Sequence, residues 1–357
     1  MINRLSLTDF RNHALSRIDV SGARNVIITG PNGAGKTAVL EALSILSGDR
    51  GMRGAPVSDM ARFGAGHGFA VHAELGNDTD IAVQWSPDDA NRRAYVDGDT
   101  ARLTDLAARV SMVWISPRED RIFVDSASER RAFFDRLAAA FDGRHAGRVA
   151  RFSKLMTQRA GALKNGGDTY WLDALDTQIA AAAVAIAAAR IQYAGEINYF
   201  LDGAAVSVAG IVENMILSDG PGAENAYLQY LRENRTLVGD KMVLDGPHKS
   251  DFGVFNQVLQ LPAHLTSTGQ QKSTLIELIL AHAKCLSAKT SREPIILLDE
   301  AAAHLDAAAR ARMFSSLGAA HAQVWATGLD ADVFRDVPGA IFVTCNNGEI
   351  SNILHTE

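Results

Sequence analysis

A chain of 357 residues, 47% of them hydrophobic, carries enough apolar material for a large core and enough length for two or more compact units. A formal net charge of −6 and a pI near 5.9 exclude a global basic field that would draw the whole molecule onto nucleic acid, so any such surface has to be local. Cys285 and Cys345 stand far apart and outside any CxxC or Cys/His cluster, which argues against a zinc site or a disulfide framework and for a reducing, cytoplasmic setting.

The first residues, Met1-Ile-Asn-Arg-Leu-Ser-Leu7, lack a basic stretch followed by an apolar one, so no signal peptide is expected. Leu5, Leu7, Phe10, Ile18 and Val20 alternate around Arg11-Asn12 and predict a hairpin leading into a strand over 26–29. Then come Gly30, Pro31, Asn32, Gly33, Ala34, Gly35, Lys36 and Thr37, followed by a helical pattern over 38–46. Strand, glycine loop and helix are the context in which G-x-x-x-x-G-K-[ST] has meaning. Glycines let successive N–H groups turn inward toward an anion, and the helix N-terminus adds donors and partial positive charge. Lys36 is placed to reach the β- and γ-phosphates and Thr37 to put its hydroxyl on Mg²⁺. The ligand read from this is a purine nucleoside triphosphate, ATP. A stretch rich in Gly and Arg (48–68) links the loop helix to antiparallel strands within 67–100, and a short buried strand over 111–116 ends at Pro117.

Beyond Pro117 the composition changes, and residues 128–231 read as helical, broken at Gly166-Gly167 into at least two long helices that pair antiparallel. The run Ile179–Ala189 is too short and too alanine-rich to predict a membrane span and reads as plain helix. Arg130, Arg131, Arg136, Arg144, Arg148, Arg151, Lys154, Arg159 and Lys164 face few acids. Each one alone fits a solvated helix face; together they form the best local basic surface of an acidic chain, with Arg144, Arg148 and Arg151 as candidate contacts to DNA phosphates.

From about Lys241 an α/β pattern returns. Ile295-Ile-Leu-Leu298 is a continuous apolar run, as a central parallel strand requires, and puts Asp299 and Glu300 at its carboxyl end. Asp299 fits the acid that holds Mg²⁺ through its water shell, and Glu300 the general base that orients the attacking water. Ser267-Thr-Gly-Gln-Gln-Lys272 opens a strongly periodic helix and makes a second anion-binding end, with the Ser267 hydroxyl, the Gly269 backbone and Gln270. One nucleotide does not need two such ends from one subunit. The pair makes sense if the second end caps the γ-phosphate of ATP held by another copy, in a two-fold dimer with ATP between the subunits.

These motifs in this order resemble the ATP-binding-cassette ATPases of the SMC and RecF group. Phe10-Arg-Asn12, Ser128-Glu-Arg-Arg131, Gly246-Pro-His-Lys249 and Ser267-Thr-Gly-Gln-Gln-Lys272 are similar to the RecF-type recombination mediators in particular, and the length leaves no room for a long coiled coil. The resemblance implies an α/β ATPase lobe of the SMC/RecF kind, built from residues 1–125 and 239–357, with an α-helical arm domain, 126–238, inserted between them. It implies that Arg11 and Asn12 belong to the nucleotide site. It also implies that ATP drives head-to-tail homodimerisation, that Ser267, Gly269 and Gln270 act on the partner's nucleotide, and that Asp306 sits in a loop crossing the dimer interface. Hydrolysis is then slow and times release of duplex DNA, gapped or at a single-strand/double-strand junction, in recombinational repair and at stalled forks, together with RecO- and RecR-type partners and away from membranes. Two departures from the pattern stand out. Where many such ATPases carry a switch histidine the chain reads Gly328-Leu-Asp330, leaving that role vacant or to Thr327, and the loop 116–120 lacks the glutamine usual for sensing the γ-phosphate. Two other functions fit an ATP-switched dimer: a scaffold whose partner is protein alone, and the nucleotide-binding subunit of a transporter.

Overall fold

The computed structural model describes residues 1–210, 212, 220–236, 244–290, 292–301, 307–319 and 322–355. They form two compact units, residues 1–120 with 268–357, and residues 121–267.

The first unit contains two sheets. Strands β1 (Ile2–Phe10) and β2 (His13–Asp19) form the expected hairpin, but it does not run on into the sheet of β3 (Asn25–Thr29). Instead β1 pairs antiparallel with β4 (Phe69–Leu75), which continues through β5 (Asp80–Trp85), β6 (Arg93–Val96) and β7 (Asp99–Ala101) in the order β2-β1-β4-β5-β6-β7. Side chains along β4 alternate between buried and half-buried, the pattern of a sheet with one face on the core. The second sheet joins β3 to β8 (Met112–Ile115), β12 (Ile295–Leu298), β13 (Gln323–Gly328), β14 (Ala340–Asn346) and β15 (Glu349–His355), in the order β15-β14-β3-β13-β12-β8. All but β15 are parallel. Every residue of β3 and β12 is buried, as strands covered on both faces must be. Helix α1 (Lys36–Ile45) follows β3 and buries every residue but Thr37, and a short helix, α2 (Leu103–Ala107), follows β7. The Gln323 side chain, 1% exposed, accepts from the Ile2 N–H at 2.8 Å and donates to the Ile2 and Ala23 carbonyls, so the two ends of the chain share one core.

The second unit bears out the break at Gly166-Gly167 but adds a small sheet to the helices expected. Helices α3 (Ala127–Ala139), α4 (His145–Lys164), α5 (Thr169–Asn198) and α6 (Gly220–Glu233) are joined by a sheet of β9 (Ala204–Ala209), β10 (Asp251–Asn256) and β11 (Leu261–Pro262). β9 is built from alanine, valine and serine, and only pairing such as Val206 with Val254 makes it a strand. That pairing holds residues 244–267 with the arm, so the units part at 120/121 and 267/268 rather than at 125/126 and 238/239. The alanine run also lies in a longer element than expected. α5 has 30 residues and by length and composition could cross a membrane, although 44% of its most apolar window is buried inside the protein. Its small side chains Ala180, Ala183 and Ala187 face a core shared with Phe152 and Leu155 of α4 and Tyr227 and Leu231 of α6.

Buried ion pairs cross this helical core. Arg159, 4% exposed, donates to Asp176 at 2.6 Å. Arg190 grips both oxygens of Asp135 at 2.9 Å, and His145 Nε2 lies 2.8 Å from Asp135 Oδ1. Burial opposes ionisation of Asp135, but hydrogen bonds from His145 and Arg190 outweigh it and hold the carboxyl below its usual range. Removing the acid takes away the carboxylate that buried Arg190 and His145 both contact, so Asp135→Ala should lower the unfolding free energy by about 3–5 kcal/mol in denaturant titration at neutral pH. Because the folded value is depressed, that contribution is present above the ordinary carboxyl pKa of about 3.9 and lost as pH falls through the folded value. The gap between wild type and Asp135→Ala should therefore narrow in acid; a gap independent of pH would contradict the assignment.

Candidate nucleotide-binding site

The glycine loop turns at the carboxyl end of β3, and its shape is enforced from two sides. Gly30 has φ 148°, and a Cβ there would lie 2.1 Å from the Cys345 carbonyl oxygen at the end of β14. Gly35 has φ 114°, and its Cβ would meet His13 Nε2 at 2.6 Å. The carbonyl of Ala34 accepts from the Gly348 N–H at 2.8 Å, from Asn12 Nδ2 at 3.1 Å and from Cys345 Sγ at 3.1 Å. His13, fully buried, contacts Ser16 Oγ and the Gly35 carbonyl, and burial pushes its imidazole below the usual pKa, toward the neutral form. The β1–β2 turn and the β14–β15 turn thus clamp the loop. The N-terminus of α1 behind it carries no side-chain cap, which suits an anion.

Lys36 is 5% exposed and folds back to donate to the carbonyls of Gly30 at 2.8 Å and Pro31 at 2.9 Å. Thr37 Oγ1 donates to Asp299 Oδ1 at 3.0 Å, although 262 positions separate the two residues in the chain. Thr327, at the end of β13 between β3 and β12, donates to the same oxygen at 2.7 Å and accepts from the Glu300 N–H at 3.0 Å. Burial raises the Asp299 carboxyl pKa, the two hydroxyls pull it down, and the nearby Glu300 charge adds to the rise. Glu300 has a left-handed backbone, φ 53°. A hydroxyl beside a carboxylate is the hard oxygen set that Mg²⁺ takes alongside phosphate oxygens, so these residues fit the ion. No group of three or more His, Cys, Asp or Glu suited to a metal occurs among the described residues, so the phosphates would have to complete the shell.

A cavity of about 460 Å³ opens over the loop, lined by Arg11, Asn12, Asn32, Gly33, Ala34, Gly35, Lys36, Thr37 and Glu300 among the expected site residues. Gly30, Pro31 and Asp299 do not line it but are bonded to residues that do, the Gly30 and Pro31 carbonyls to Lys36 and the Asp299 carboxylate to Thr37. Arg53, Asp59, Ala61 and Phe63 also line the cavity and come from the Gly- and Arg-rich link, where no motif marks them. Arg11, at φ 55°, holds both oxygens of fully buried Glu41 at 2.8 and 2.5 Å and also donates to the Asp59 carbonyl. The helical spacing of Glu41 hid this role.

Other expected residues lie elsewhere. Gly269 and Gln270 open α7 (Thr268–Thr290) and are not among the described residues lining the cavity. Ser267 ends the second unit, and Asp306 lies outside the described residues. Arg144 and Arg151 are exposed on α4 and its cap; Arg148 is half-buried and paired with Asp142, and Arg151 donates to Gln178 at 2.8 Å. The wider basic run is less free than its sequence implies, because Arg130 pairs with Asp251, Arg131 donates to the Ser250 carbonyl and Arg159 is internal.

The model of the RecF/RecN/SMC N-terminal domain family matches residues 1–352. The DNA replication and repair protein RecF of Mesorhizobium japonicum is 37% identical over 373 residues, covering 98% of this chain and 97% of that one. That of Brucella suis is 37% identical over 376 residues, covering 99% and 96%. Among solved structures, the recombination mediator protein RecF with ATP in the RecFOR pathway superposes with a TM-score of 0.79 at 20% identity over 99% of both chains. An Smc head bound to the winged-helix domain of ScpA gives 0.57 at 14% identity, over 100% of this chain and 97% of that one. The fold is that of an SMC/RecF-like ATP-binding-cassette lobe.

Because the carbonyl at Cys345 leaves no room for a Cβ, Gly30→Ala should cost about 1–3 kcal/mol of unfolding free energy and weaken nucleotide binding at the loop in calorimetric titration. Wild-type stability and affinity in that variant would contradict the clamp.

Proposed function

The chain belongs to the RecF/RecN/SMC N-terminal domain family, and within it to the RecF proteins, and from that premise we propose that it is a slow, switch-like ATPase whose ATP-bound dimer clamps DNA during recombinational repair of gaps and at stalled forks. The observation that carries this reading is the meeting of Thr37, Asp299 and Thr327 beside the glycine loop, with Glu300 on the wall of the same cavity. The loop amides from Gly30 to Gly35 and the start of α1 hold the phosphates, and Lys36 exchanges the Gly30 and Pro31 carbonyls for phosphate oxygens. Thr37 directly, and Asp299 through water, would hold Mg²⁺; when bound, the ion neutralises charge on the β- and γ-phosphates. Glu300 orients a water toward the γ-phosphate and accepts its proton as the bond to the leaving ADP breaks. Arg11 and Asn12 shape the cavity wall, Arg11 through Glu41 and Asn12 through the Ala34 carbonyl.

In the dimer Ser267, Gly269 and Gln270 close over the partner's γ-phosphate, with Asp306 in the loop crossing the interface. DNA is held mainly through phosphates by exposed residues of α4 and its cap, Arg144 and Arg151 foremost, with Arg148 shared with Asp142. RecO- and RecR-type proteins are the proposed partners, and the cytoplasm, away from membranes, is the proposed location. The internal pairing of Arg130, Arg148 and Arg159 favours one second reading, an ATP-switched scaffold whose partner is protein alone. No comparable observation favours a transporter subunit.

Lys36→Ala should abolish ATP-dependent dimerisation in light scattering, and a variant that still dimerises with ATP would sink the switch. Arg144→Ala/Arg151→Ala should weaken binding to gapped duplex DNA and reduce the salt slope by about 2, with folding unchanged. Identical isotherms would remove α4 from the contact surface and favour the protein-only scaffold.

A further inference from the structure

Glu300 needs more than its place at the end of β12 to act. A non-glycine residue at φ 53° occupies backbone space that L-residues avoid, and such a conformation persists where neighbours over-determine it. Both of its own backbone polar groups are held. Its N–H donates to Thr327 Oγ1 at 3.0 Å, and its carbonyl accepts from Lys272 Nζ at 3.1 Å. The Lys272 ammonium is anchored in turn by Asp120 Oδ2 at 3.0 Å.

Lys272 is 4% exposed, in the early turns of α7. A buried lysine is costly, and one carboxylate partner roughly offsets the charge without adding stability, so the second bond, onto the Glu300 carbonyl, is the informative one. A neutral side chain of similar reach would fill the space but would leave that carbonyl without this donor. All the groups belong to one unit: Asp120 just beyond β8, Lys272 on α7, Glu300 after β12 and Thr327 at the end of β13.

We propose that Lys272 is a positioning residue for ATP hydrolysis: braced by Asp120, it pins the Glu300 carbonyl and so fixes the direction in which the Glu300 carboxylate enters the nucleotide cavity. This inference rests on the reading of Glu300 as the general base. Lys272 is not among the described residues lining the nucleotide cavity. It acts through the backbone of one that is, and the helix start expected to face a partner's nucleotide therefore shares a side chain with this protomer's own base.

The test is ATP hydrolysis by the full-length protein, followed with radiolabelled nucleotide, alongside equilibrium ATP binding, for Lys272→Met, Lys272→Arg, Asp120→Asn and Glu300→Gln. Lys272→Met should lower kcat about 10- to 100-fold while the Kd for ATP moves by less than about two-fold, because a misplaced base slows chemistry without loosening the phosphates. Lys272→Arg keeps charge and donors and should recover most of the rate. If Lys272→Met does not fold, Asp120→Asn takes its place, since its side chain is 29% exposed and its loss frees the ammonium; kcat should again fall at unchanged affinity. A folded Lys272→Met, or Asp120→Asn in its stead, with wild-type kcat would overturn the proposal, as would affinity lost in step with rate. If Glu300→Gln hydrolyses ATP normally, the reading of Glu300 fails and the inference falls with it. If Glu300→Gln is inactive and Lys272→Met is not, the inference alone fails.

Discussion

One carboxylate oxygen holds the two halves of the site together. Asp299 Oδ1 accepts from Thr37 at 3.0 Å and from Thr327 at 2.7 Å, inside a region where burial penalises its charge. Hydroxyls from the neighbouring segments offset part of that penalty, and they tie α1 and β13 to the carboxyl end of β12, where open α/β sheets bind ligands. The glycine loop and the acidic strand end lie far apart in sequence, with the arm between them, so neither half of the chain can build the site alone.

The loop depends on a second constraint, close packing from above and below. Gly30 against Cys345 and Gly35 against His13 are approaches that no side chain permits, and three donors converge on the Ala34 carbonyl. A loop held by its neighbours is already shaped before phosphate arrives, so less of the binding free energy goes into ordering it. The price of such a frame is a low tolerance for substitution at its contact points.

Much of this was legible from residue order. The glycine loop, the apolar β12 and the acids after it follow from patterns whose physical reasons are local, and the structure brings Lys36, Thr37, Asp299 and Glu300 together in the first unit. The hairpin about Arg11 and the break at Gly166-Gly167 were legible for the same reason. What escaped was decided at long range. β9 is a strand because β10 lies beside it, and that pairing moves residues 244–267 into the arm. Glu41 lies in a helical run whose pattern names no partner for it, yet it is fully buried against Arg11. The basic run overstated its free charge because Asp176 and Asp251, remote in sequence, and Asp142, just before α4, claim Arg159, Arg130 and Arg148. Phe63 and Arg53 entered the cavity wall through a link whose composition advertises nothing.

The central claim is that nucleotide held at this site switches a DNA clamp, and its most direct test is sedimentation of the Glu300→Gln protein with gapped duplex DNA, with ATP and without. Losing the base leaves the phosphate contacts intact and blocks turnover, so the closed state accumulates. The account predicts a dimer that forms with ATP and carries DNA with it, and free monomer with little bound DNA in its absence. A dimer that forms with ATP while DNA stays unbound would contradict the clamp, and a protein that binds DNA equally with and without ATP would contradict the switch.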